Sequence, residues 1–340
     1  MIANHHKYSG VLIAALLLFA GGHSDAASWR INNNTNRHAH FASINAAMDS
    51  NDVQDGDTLY LDPGCTLTTQ QNVTKQVTII GSGYFLPSDT HEASVISAVF
   101  YLKAANIKVM GVTMSNTTYI YADQITIERC KASRINVGSS SISAKDANIR
   151  QCYITNTIYG VGNSNMNSAY CTIENNIIIS GLSTGCIYQL LSPTIRNNYL
   201  KETANYAIFG SLTDAVIINN IEINTKSVKS IFSSTTTAIN RNNVQSSESG
   251  AEGNFFLNSS DESLIFALEG TNDQKYQLKA DSPAKGFAEG GGDCGPYDGA
   301  HPYVPSGYPF GMPRFVTSSS GFRATDGKVS FSNQVTIQKQ

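Results

Sequence analysis

Four charged side chains recur at nearly equal steps along the middle of the chain. Each one directly follows an isoleucine, and the steps are about 22 residues: Glu128, Arg150, Glu174 and Arg196. In an elimination reaction, a cation neutralises an acidic sugar while a base removes a proton. Acidic and basic side chains on successive coils could supply these two groups. The same alternation describes an exposed salt-bridge ladder, each pair worth about 0–1 kcal/mol, and this structural interpretation is the one we favour. The four residues are therefore catalytic candidates in a pattern that does not require catalysis.

Tyrosines supply a second candidate chemistry, because sugar rings pack against flat apolar faces. Tyr153 and Tyr199 stand four residues after two of the isoleucines, at positions that we predict to point outward. Tyr188 and Tyr206 fall in segments that we predict to be loops, the usual place for binding residues on a rigid scaffold. All four are predicted to bind glycan, and the structural alternative is that such rings cover the edges of the core.

A repeated motif positions these side chains. Its leading isoleucines are separated by 22, 24, 22, 22 and 22 residues: Ile127, Ile149, Ile173, Ile195, Ile217 and Ile239. Apolar and polar residues alternate around each copy, and Asn, Gly, Ser and Thr fill the intervals. Such a period indicates short strands that stack as the coils of a solenoid, with the six isoleucines in one interior column.

A second column stands three residues after each isoleucine. It consists of two cysteines and four asparagines: Cys130, Cys152, Asn176, Asn198, Asn220 and Asn242. Asparagine tolerates the left-handed backbone of a tight corner, and stacked amides can hydrogen-bond from coil to coil. The two thiols would lie about 5 Å apart, which allows a disulfide and equally allows two small side chains that fill a turn. Glu222 occupies an inward, apolar position, which suggests that the register of its coil slips by one residue.

The asparagine column and both ends of the chain resemble the pectate-lyase-like secreted β-helix proteins. An amphipathic helix near residues 41–48 leads into DGDTLYLDPG (55–64), and residues 276–299 are similar to the closing segment of many such proteins. The resemblance implies an all-β fold: a right-handed, single-stranded parallel β-helix of about 22-residue coils with an N-terminal capping helix. A leucine-rich repeat is the alternative fold, but leucine is sparse between Ile107 and Gln245.

The sequence divides into four predicted segments. These are a signal peptide at 1–26, an N-terminal cap with the first coils at 27–100, the parallel β-helix at 101–300, and a Pro-rich strap with a C-terminal β tail at 301–340. The signal peptide is predicted from the apolar run between Val11 and Ala20, which is too short to span a bilayer and precedes small residues. We therefore expect a secreted, periplasmic or outer-surface protein without a membrane span.

Charge and composition narrow the range of possible binding partners. The net charge is −3 and basic clusters are missing, which argues against nucleic acid. No long apolar outer stripe is visible, so we expect a monomer. The resemblance implies a polysaccharide or glycoconjugate partner, and its enzymes use Ca²⁺ with a basic residue, or paired Asp residues.

The coils carry no Asp cluster that could serve as a calcium site, so we predict no metal or cofactor, and a lyase is the one case in which Ca²⁺ could bind. His301 and the other histidines lie outside the repeat, which excludes a histidine-based mechanism on the repeat face. We therefore expect an exported protein that binds polysaccharide. A polysaccharide lyase or glycoside hydrolase and a non-catalytic surface-structural or adhesin protein are the alternatives.

Overall fold

The chain winds into a parallel β-helix. The computed structural model describes residues 26–86, 92–161, 167–181, 184–225, 230–233, 236–248, 253–270, 272–307, 314–325 and 328–338. All but the last residue of the predicted signal peptide lie outside these ranges. Each coil contributes strands to two long sheets, and a third, short sheet joins two coils. The predicted β-helix of about 22-residue coils is confirmed.

The first sheet has ten strands, each paired in parallel with the equivalent strand of the next coil. Its strands are Ser28–Ile31, Thr58–Leu61, Thr78–Ile80, Lys108–Met110, Thr126–Glu128, Asn148–Arg150, Thr172–Glu174, Thr194–Arg196, Ala215–Ile218 and Ala238–Arg241. Most of these strands are only three or four residues long because the chain must turn a corner after each one.

The second sheet has fifteen strands, since most coils contribute two short strands separated by a bend. Its strands are Thr66–Leu67, Gln71–Val73, Val95–Ile96, Phe100–Leu102, Thr113–Ile120, Lys131–Val137, Tyr153–Ile154, Ile158–Tyr159, Ile177–Ser180, Ile187–Tyr188, Tyr199–Glu202, Phe209–Gly210, Ile221–Asn224, Val244–Gln245 and Phe255–Phe256. The third sheet pairs Ala144–Lys145 with Ser168–Ala169. Within the described part of residues 107–245 no helix separates the strands, so the leucine-rich repeat is wrong.

In the ranges that the structure describes, helices are few and short. The α-helix Ile44–Asp49 begins after Ser43, whose hydroxyl accepts a hydrogen bond from the backbone of Ala46 at 3.1 Å. It packs Ile44, Ala47 and Met48 into the core, which confirms the predicted N-terminal helix. Single 3-10 turns occur at Thr35–Arg37, Glu262–Leu264, Gln274–Tyr276 and Pro305–Gly307. In the tail, Arg314–Thr325 and Lys328–Gln338 form an antiparallel hairpin.

Five of the six predicted isoleucines form the interior column. Ile127, Ile149, Ile173, Ile195 and Ile217 are in register on successive coils and are fully buried. Ile239 is the exception: it pairs with Val216 and is 56% exposed, while Asn240 takes the interior position beside Ile217. The last coil has one additional residue before its strand, so the prediction for Ile239 is wrong.

The asparagine ladder is present, with one correction. Asn176, Asn198 and Asn220 are fully buried, and each accepts, through its side-chain oxygen, a hydrogen bond of 2.9 Å from the backbone of the preceding coil. Asn220 donates in turn to Asn243, at 2.7 Å, and Asn243 therefore takes the place that we had predicted for Asn242. The same one-residue shift that displaces Ile239 moves the ladder to Asn243.

The left-handed corner lies one residue before the ladder. The corner residues all have φ between 51° and 60°: Arg129, Gln151, Asn175, Asn197, Asn219 and Asn242. Asn242 is therefore a corner residue, and ladder residues such as Asn198 are not left-handed. The tolerance of asparagine for positive φ explains the corner column, while its hydrogen-bonding amide explains the ladder column.

Cysteines fill the ladder where it lacks asparagine. Cys130 and Cys152 are both free, as are the other four cysteines, and all six are buried. The thiol of Cys152 contacts the carbonyl of Ile127 at 3.5 Å, and the thiol of Cys130 contacts that of Val109 at 3.6 Å. These contacts follow the pattern of Asn176, whose amide donates to Ile149 on the preceding coil. The two thiols therefore act as small members of the ladder.

Two carboxyl groups are buried in the interior. Glu222 is in register with Leu200 and with Gln245, so the coil does not slip and the side chain points inward. Gln245 donates a hydrogen bond of 2.6 Å to one of its oxygens. Among the described residues, the second oxygen of Glu222 has no hydrogen-bond partner, and the same holds for one oxygen of Glu202. Both side chains are fully buried.

The coils end earlier than predicted. Among the described residues, the last parallel strand is Phe255–Phe256, whereas the β-helix was expected to continue to residue 300. We call residues 262–270 and 272–307 the C-terminal cover. Its first part packs over the second sheet, and residues 287–307 run back along the corner column from Asn242 to Arg129. Backbone carbonyls of the cover accept hydrogen bonds from the side chains of Gln151 and Asn175.

The far end of the cover is fixed at the N-terminal coils. Tyr84 donates a hydroxyl hydrogen bond of 2.6 Å to Tyr303, whose own hydroxyl donates to the buried carboxylate of Asp273. A Cβ on Gly307 would lie 2.3 Å from the ring of Tyr84 and 2.4 Å from the carbonyl of Arg129. The close approach therefore requires glycine at this position.

Candidate functional site

The four charged candidates occupy one column of the first sheet. Glu128, Arg150, Glu174 and Arg196 are in register on four successive coils, as the repeat predicts. Arg150 lies 2.9 Å from Glu128, and Arg196 lies 2.7 Å from Glu174. The sheet therefore brings the candidates together as two separate ion pairs.

The two carboxylates of this column are far more buried than an exposed ladder would allow. Glu128 is 4% exposed and Glu174 is 3% exposed. Burial alone would raise the pKa of Glu128, but hydrogen bonds from Arg150, Arg129 and Lys108 outweigh it and hold that pKa at about 2. Glu128 is thus a permanently charged structural anion and a poor proton acceptor near neutral pH.

The C-terminal cover brings a histidine to this column. His301 Nε2 lies 3.5 Å from Glu174 Oε1, on the oxygen that Arg196 does not contact. The prediction that no histidine reaches the repeat face is therefore wrong, because it considered only residues within the repeat. A carboxylate, a guanidinium and an imidazole therefore meet at one point. Carboxylates and imidazoles are groups that general acid–base catalysis uses, whereas a guanidinium stays protonated.

The predicted pair of outward tyrosines lies beneath the cover. Tyr199 is fully buried, its ring packs 4.7 Å from Phe266, and its hydroxyl donates to Glu262. Tyr153 is half-buried, with its ring 5.0 Å from that of Phe85. A side chain that points away from the core of its own coil can still be buried by another segment. Here residues 262–270 and 272–276 pack over this part of the second sheet. Tyr199 is therefore excluded as a glycan-binding residue.

Tyr206 and Tyr188 differ from each other. Tyr206 is 46% exposed in a connecting segment, as predicted. Tyr188 belongs to a strand, so the prediction that it lies in a loop is wrong. Its side chain follows the buried Ile187 and lies on the outer face of the second sheet, where other tyrosines join it.

The second sheet carries a row of tyrosines on its outer face. Seven successive coils place one residue each in register, and we call this set the tyrosine row: Asn72, Tyr101, Tyr119, Asn136, Tyr159, Tyr188 and Gly210. The four tyrosines and two asparagines are all partly exposed. Since parallel strands are about 4.8 Å apart, the row is about 29 Å long.

The rings of the row are held in place by one another. Tyr101 and Tyr119 stack with 4.9 Å between centroids and 14° between planes. Tyr159 and Tyr188 stack at 5.4 Å and 22°. A Cβ on Gly210 would lie only 2.2 Å from the ring of Tyr188, so this ring extends across the last coil because residue 210 is glycine. Stacking restricts the rotamers of all four rings before any ligand arrives.

Two cations accompany the row. Lys103 Nζ lies 4.9 Å from the ring centre of Tyr101 and donates to Asn72 at 2.8 Å. Arg134 lies 4.6 Å from the ring centre of Tyr159 and donates to Asn136 at 2.8 Å. Each cation is thus fixed between an amide and an aromatic face. The row combines fixed rings, hydroxyl groups, amides and positive charge on one surface.

The sequence carried a signal for this row that the repeat period hides. Tyr101, Tyr119 and Tyr159 each stand between two buried residues, the pattern of an outward position on a strand. Their spacing is unequal because the coils differ in loop length, so a search at 22 residues does not align them. Tyr119 lies on the strand Thr113–Ile120 and Tyr159 on the strand Ile158–Tyr159.

The described part of the chain has neither a metal-binding cluster nor a membrane-spanning helix. There, no group of three or more His, Cys, Asp or Glu side chains is arranged to hold a metal ion. Within the same residues, no helix has the length and apolar character that a membrane span requires.

Comparisons with known proteins give little beyond this. No family model and no curated protein sequence matches the chain. Among solved structures, the chain is similar to the crystal structure of pectate lyase Pel9A, with 13% identity and a TM-score of 0.39, over 82% of this chain and 97% of that one. The assignment of the fold therefore rests on the strand pairing described above.

Proposed function

We propose that this chain is an exported β-helix protein that binds polysaccharide along the tyrosine row. The single observation that carries the proposal is the alignment of four partly exposed tyrosines on neighbouring coils. Aromatic side chains offer apolar area at low entropic cost, and their hydroxyls can hydrogen-bond to sugar hydroxyls. Because the rings of each pair lie against one another, we expect the ligand to meet ring edges, hydroxyls and the adjacent amides.

The shape of the row favours a polymer over a small sugar. An extended surface about 29 Å long suits a ligand that makes many weak contacts of similar kind. Small-molecule sites are instead concave and enclose most of their ligand. A polysaccharide that lies along the row would repeat the same contact from coil to coil.

The charged column supports the alternative function, cleavage of an acidic glycan, less well. The observation in favour of cleavage is that Glu174 lies close to both Arg196 and His301. Both carboxylates of the column are buried and paired, so neither is free to act as a base or nucleophile without first losing its partner. Binding without turnover is therefore the function that the arrangement of the side chains supports best.

Loss of the tyrosine row should abolish binding. We expect the double variant Tyr119→Ala, Tyr188→Ala to weaken binding at least roughly a hundredfold. The contact area that each ring buries against the ligand contributes about 1.5 kcal/mol to the binding free energy. Isothermal titration against hydroxyethylcellulose, xylan, polygalacturonate and alginate measures this. Tyr206→Ala is the matched control, since this exposed tyrosine lies outside the row, and it should change affinity less than about twofold.

The same incubations test turnover. Binding alone predicts no new reducing ends and no absorbance from unsaturated uronates. Cleavage products that Glu174→Gln removes would move the function to the charged column. Equal affinity in wild type and the double tyrosine variant, or no binding to any of the four polysaccharides, would contradict the proposal.

A further inference from the structure

The tyrosine row contains the same arrangement twice. The first unit consists of Asn72, Tyr101 and Tyr119, and the second of Asn136, Tyr159 and Tyr188. In both units an asparagine is followed, on the next two coils, by two stacked tyrosines. The second unit therefore repeats the first after three coils, or about 14 Å along the helix axis.

The two units share their internal contacts in addition to their order of residues. In each unit a cation donates to the asparagine side chain at 2.8 Å. That cation also lies over the first tyrosine ring, at 4.9 Å for Lys103 and 4.6 Å for Arg134. A positive charge, an amide and a pair of stacked rings thus occur together in both units.

The units differ in their surroundings. In the first, Tyr121 lies against the rings of Tyr101 and Tyr119, at 5.5 and 5.4 Å. In the second, the row ends on Gly210, across which the ring of Tyr188 extends. Lys103 comes from the coil of the first tyrosine, whereas Arg134 comes from the coil of the asparagine. The common arrangement is thus reached from different sequence positions, which is not a consequence of the 22-residue repeat.

A surface that repeats along one axis fits a ligand that repeats along the same axis. A coil advances by about 4.8 Å, which is close to the length that one sugar ring adds to an extended glycan chain. Two equal units on a rigid scaffold raise affinity by effective concentration when one ligand reaches both. A branched or terminal glycan would reach only one unit.

We propose that the two units are equivalent subsites for a single linear glycan chain that lies parallel to the helix axis. This inference rests on the proposed function and specifies its ligand as an extended, unbranched polymer. A chain must span about 24 Å, from Asn72 to Tyr188, to occupy both subsites. Shorter chains occupy one subsite or the other.

Oligosaccharides of increasing length test the proposal. The probe is the linear series, from two to about eight residues, of the panel polysaccharide that binds: cello-oligosaccharides, xylo-oligosaccharides, oligogalacturonides or oligomannuronates. Affinity should rise in two steps, and chains that reach both subsites should bind roughly tenfold to a hundredfold tighter than chains that reach one. Titration calorimetry gives both the affinity and the number of short chains bound, which should be two.

Variants within and between the subsites make the test sharper. Tyr159→Ala alone should remove the second step, and adding Tyr188→Ala in the same subsite should cost little more. Adding Tyr101→Ala in the other subsite should instead abolish binding of every length. Gly210→Ala should act like Tyr159→Ala, because its Cβ would displace the ring of Tyr188 while keeping the tyrosine.

The outcomes separate this inference from the proposed function. A smooth increase with length, one short chain bound, or equal losses from both double variants would overturn the two subsites while polysaccharide binding stands. No binding to any polysaccharide would overturn both. Far-ultraviolet circular dichroism and urea unfolding of each variant show whether the coils remain folded.

Discussion

Asn198→Ala is expected to lower the free energy of unfolding by about 3–5 kcal/mol, because the asparagine serves three neighbouring coils. Its side-chain oxygen accepts from the backbone of Asn176 at 2.9 Å, and its amide donates to the carbonyl of Ile173 at 2.9 Å. Alanine would leave the buried N–H of Asn176 without a partner, which costs about 1–3 kcal/mol. It would also remove the side-chain bonds to Ile173 and Asn220, each worth about 0.5–1.5 kcal/mol. Urea unfolding followed by circular dichroism measures the loss.

Two further variants test the register of the ladder. Asn243→Ala should destabilise the protein about as much as Asn198→Ala, since Asn243 accepts from the backbone of Asn220. Asn242→Gly should cost less than about 1 kcal/mol, because glycine suits the φ of 55° and only a 3.3 Å hydrogen bond to Phe287 is lost. The opposite order of these two effects would place Asn242 in the ladder and contradict the structure.

The free energy of unfolding should fall by several kcal/mol as the pH rises from about 4.5 to about 8. Burial raises the pKa of Glu222 to about 8, although a hydrogen bond from Gln245 opposes this. Burial likewise raises the pKa of Glu202 to about 7. The ordinary value for glutamate is 4.5. Above that pH the unfolded chain releases these protons while the folded chain retains them.

The sign of the effect follows from that difference. Stability from a raised pKa is fully present below the unfolded value and is lost as the pH passes through the folded value. Glu128, with its pKa held at about 2 by Arg150, Arg129 and Lys108, acts in the other direction and only below pH 4.5. The two effects together predict greatest stability near pH 4.5.

Glu222→Gln isolates the larger of the two contributions. The variant should lose clearly less stability between pH 5 and pH 8 than the wild type does, and the loss that remains should come from Glu202. Glu269→Gln is the control on an exposed glutamate and should retain the full pH dependence of the wild type. A wild-type protein that gains stability between pH 5 and pH 8 would show that the interior carboxyls are charged in the folded state.

The sequence predicted the structure of the regular coils correctly, and the predictions were wrong where a coil departs from the repeat. Ile127 to Ile217, together with the asparagines, define the coil because each coil must bury the same edge against its neighbours. The last coil breaks the pattern: Ile239 and Asn242 match the motif by chance, while the doublet Asn242–Asn243 marks the true corner and ladder. Alignment on that doublet, which also occurs at 175–176, 197–198 and 219–220, places Asn240 inside.

The candidate sites were less predictable because they depend on contacts between distant parts of the chain. Tyr199 is buried by Glu262 and Phe266, and Glu174 meets His301 through the cover, which no local pattern indicates. The tyrosine row depends on coils of unequal length that nevertheless align in space. Periodicity specifies the direction of a side chain on its own coil, and packing of remote segments decides whether solvent reaches it.

The C-terminal cover changes how the solenoid should come apart. Stacked repeats that touch only their neighbours lose their end coils first, because terminal fraying costs one interface at a time. Here Tyr84 and Tyr303, separated by 219 positions in the sequence, are joined by a hydrogen bond, so early and late residues are mutually dependent. The opening of either end must therefore detach the cover from the intervening coils, which favours a single all-or-none transition. During synthesis, the early coils would lack this hydrogen bond until Tyr303 has emerged.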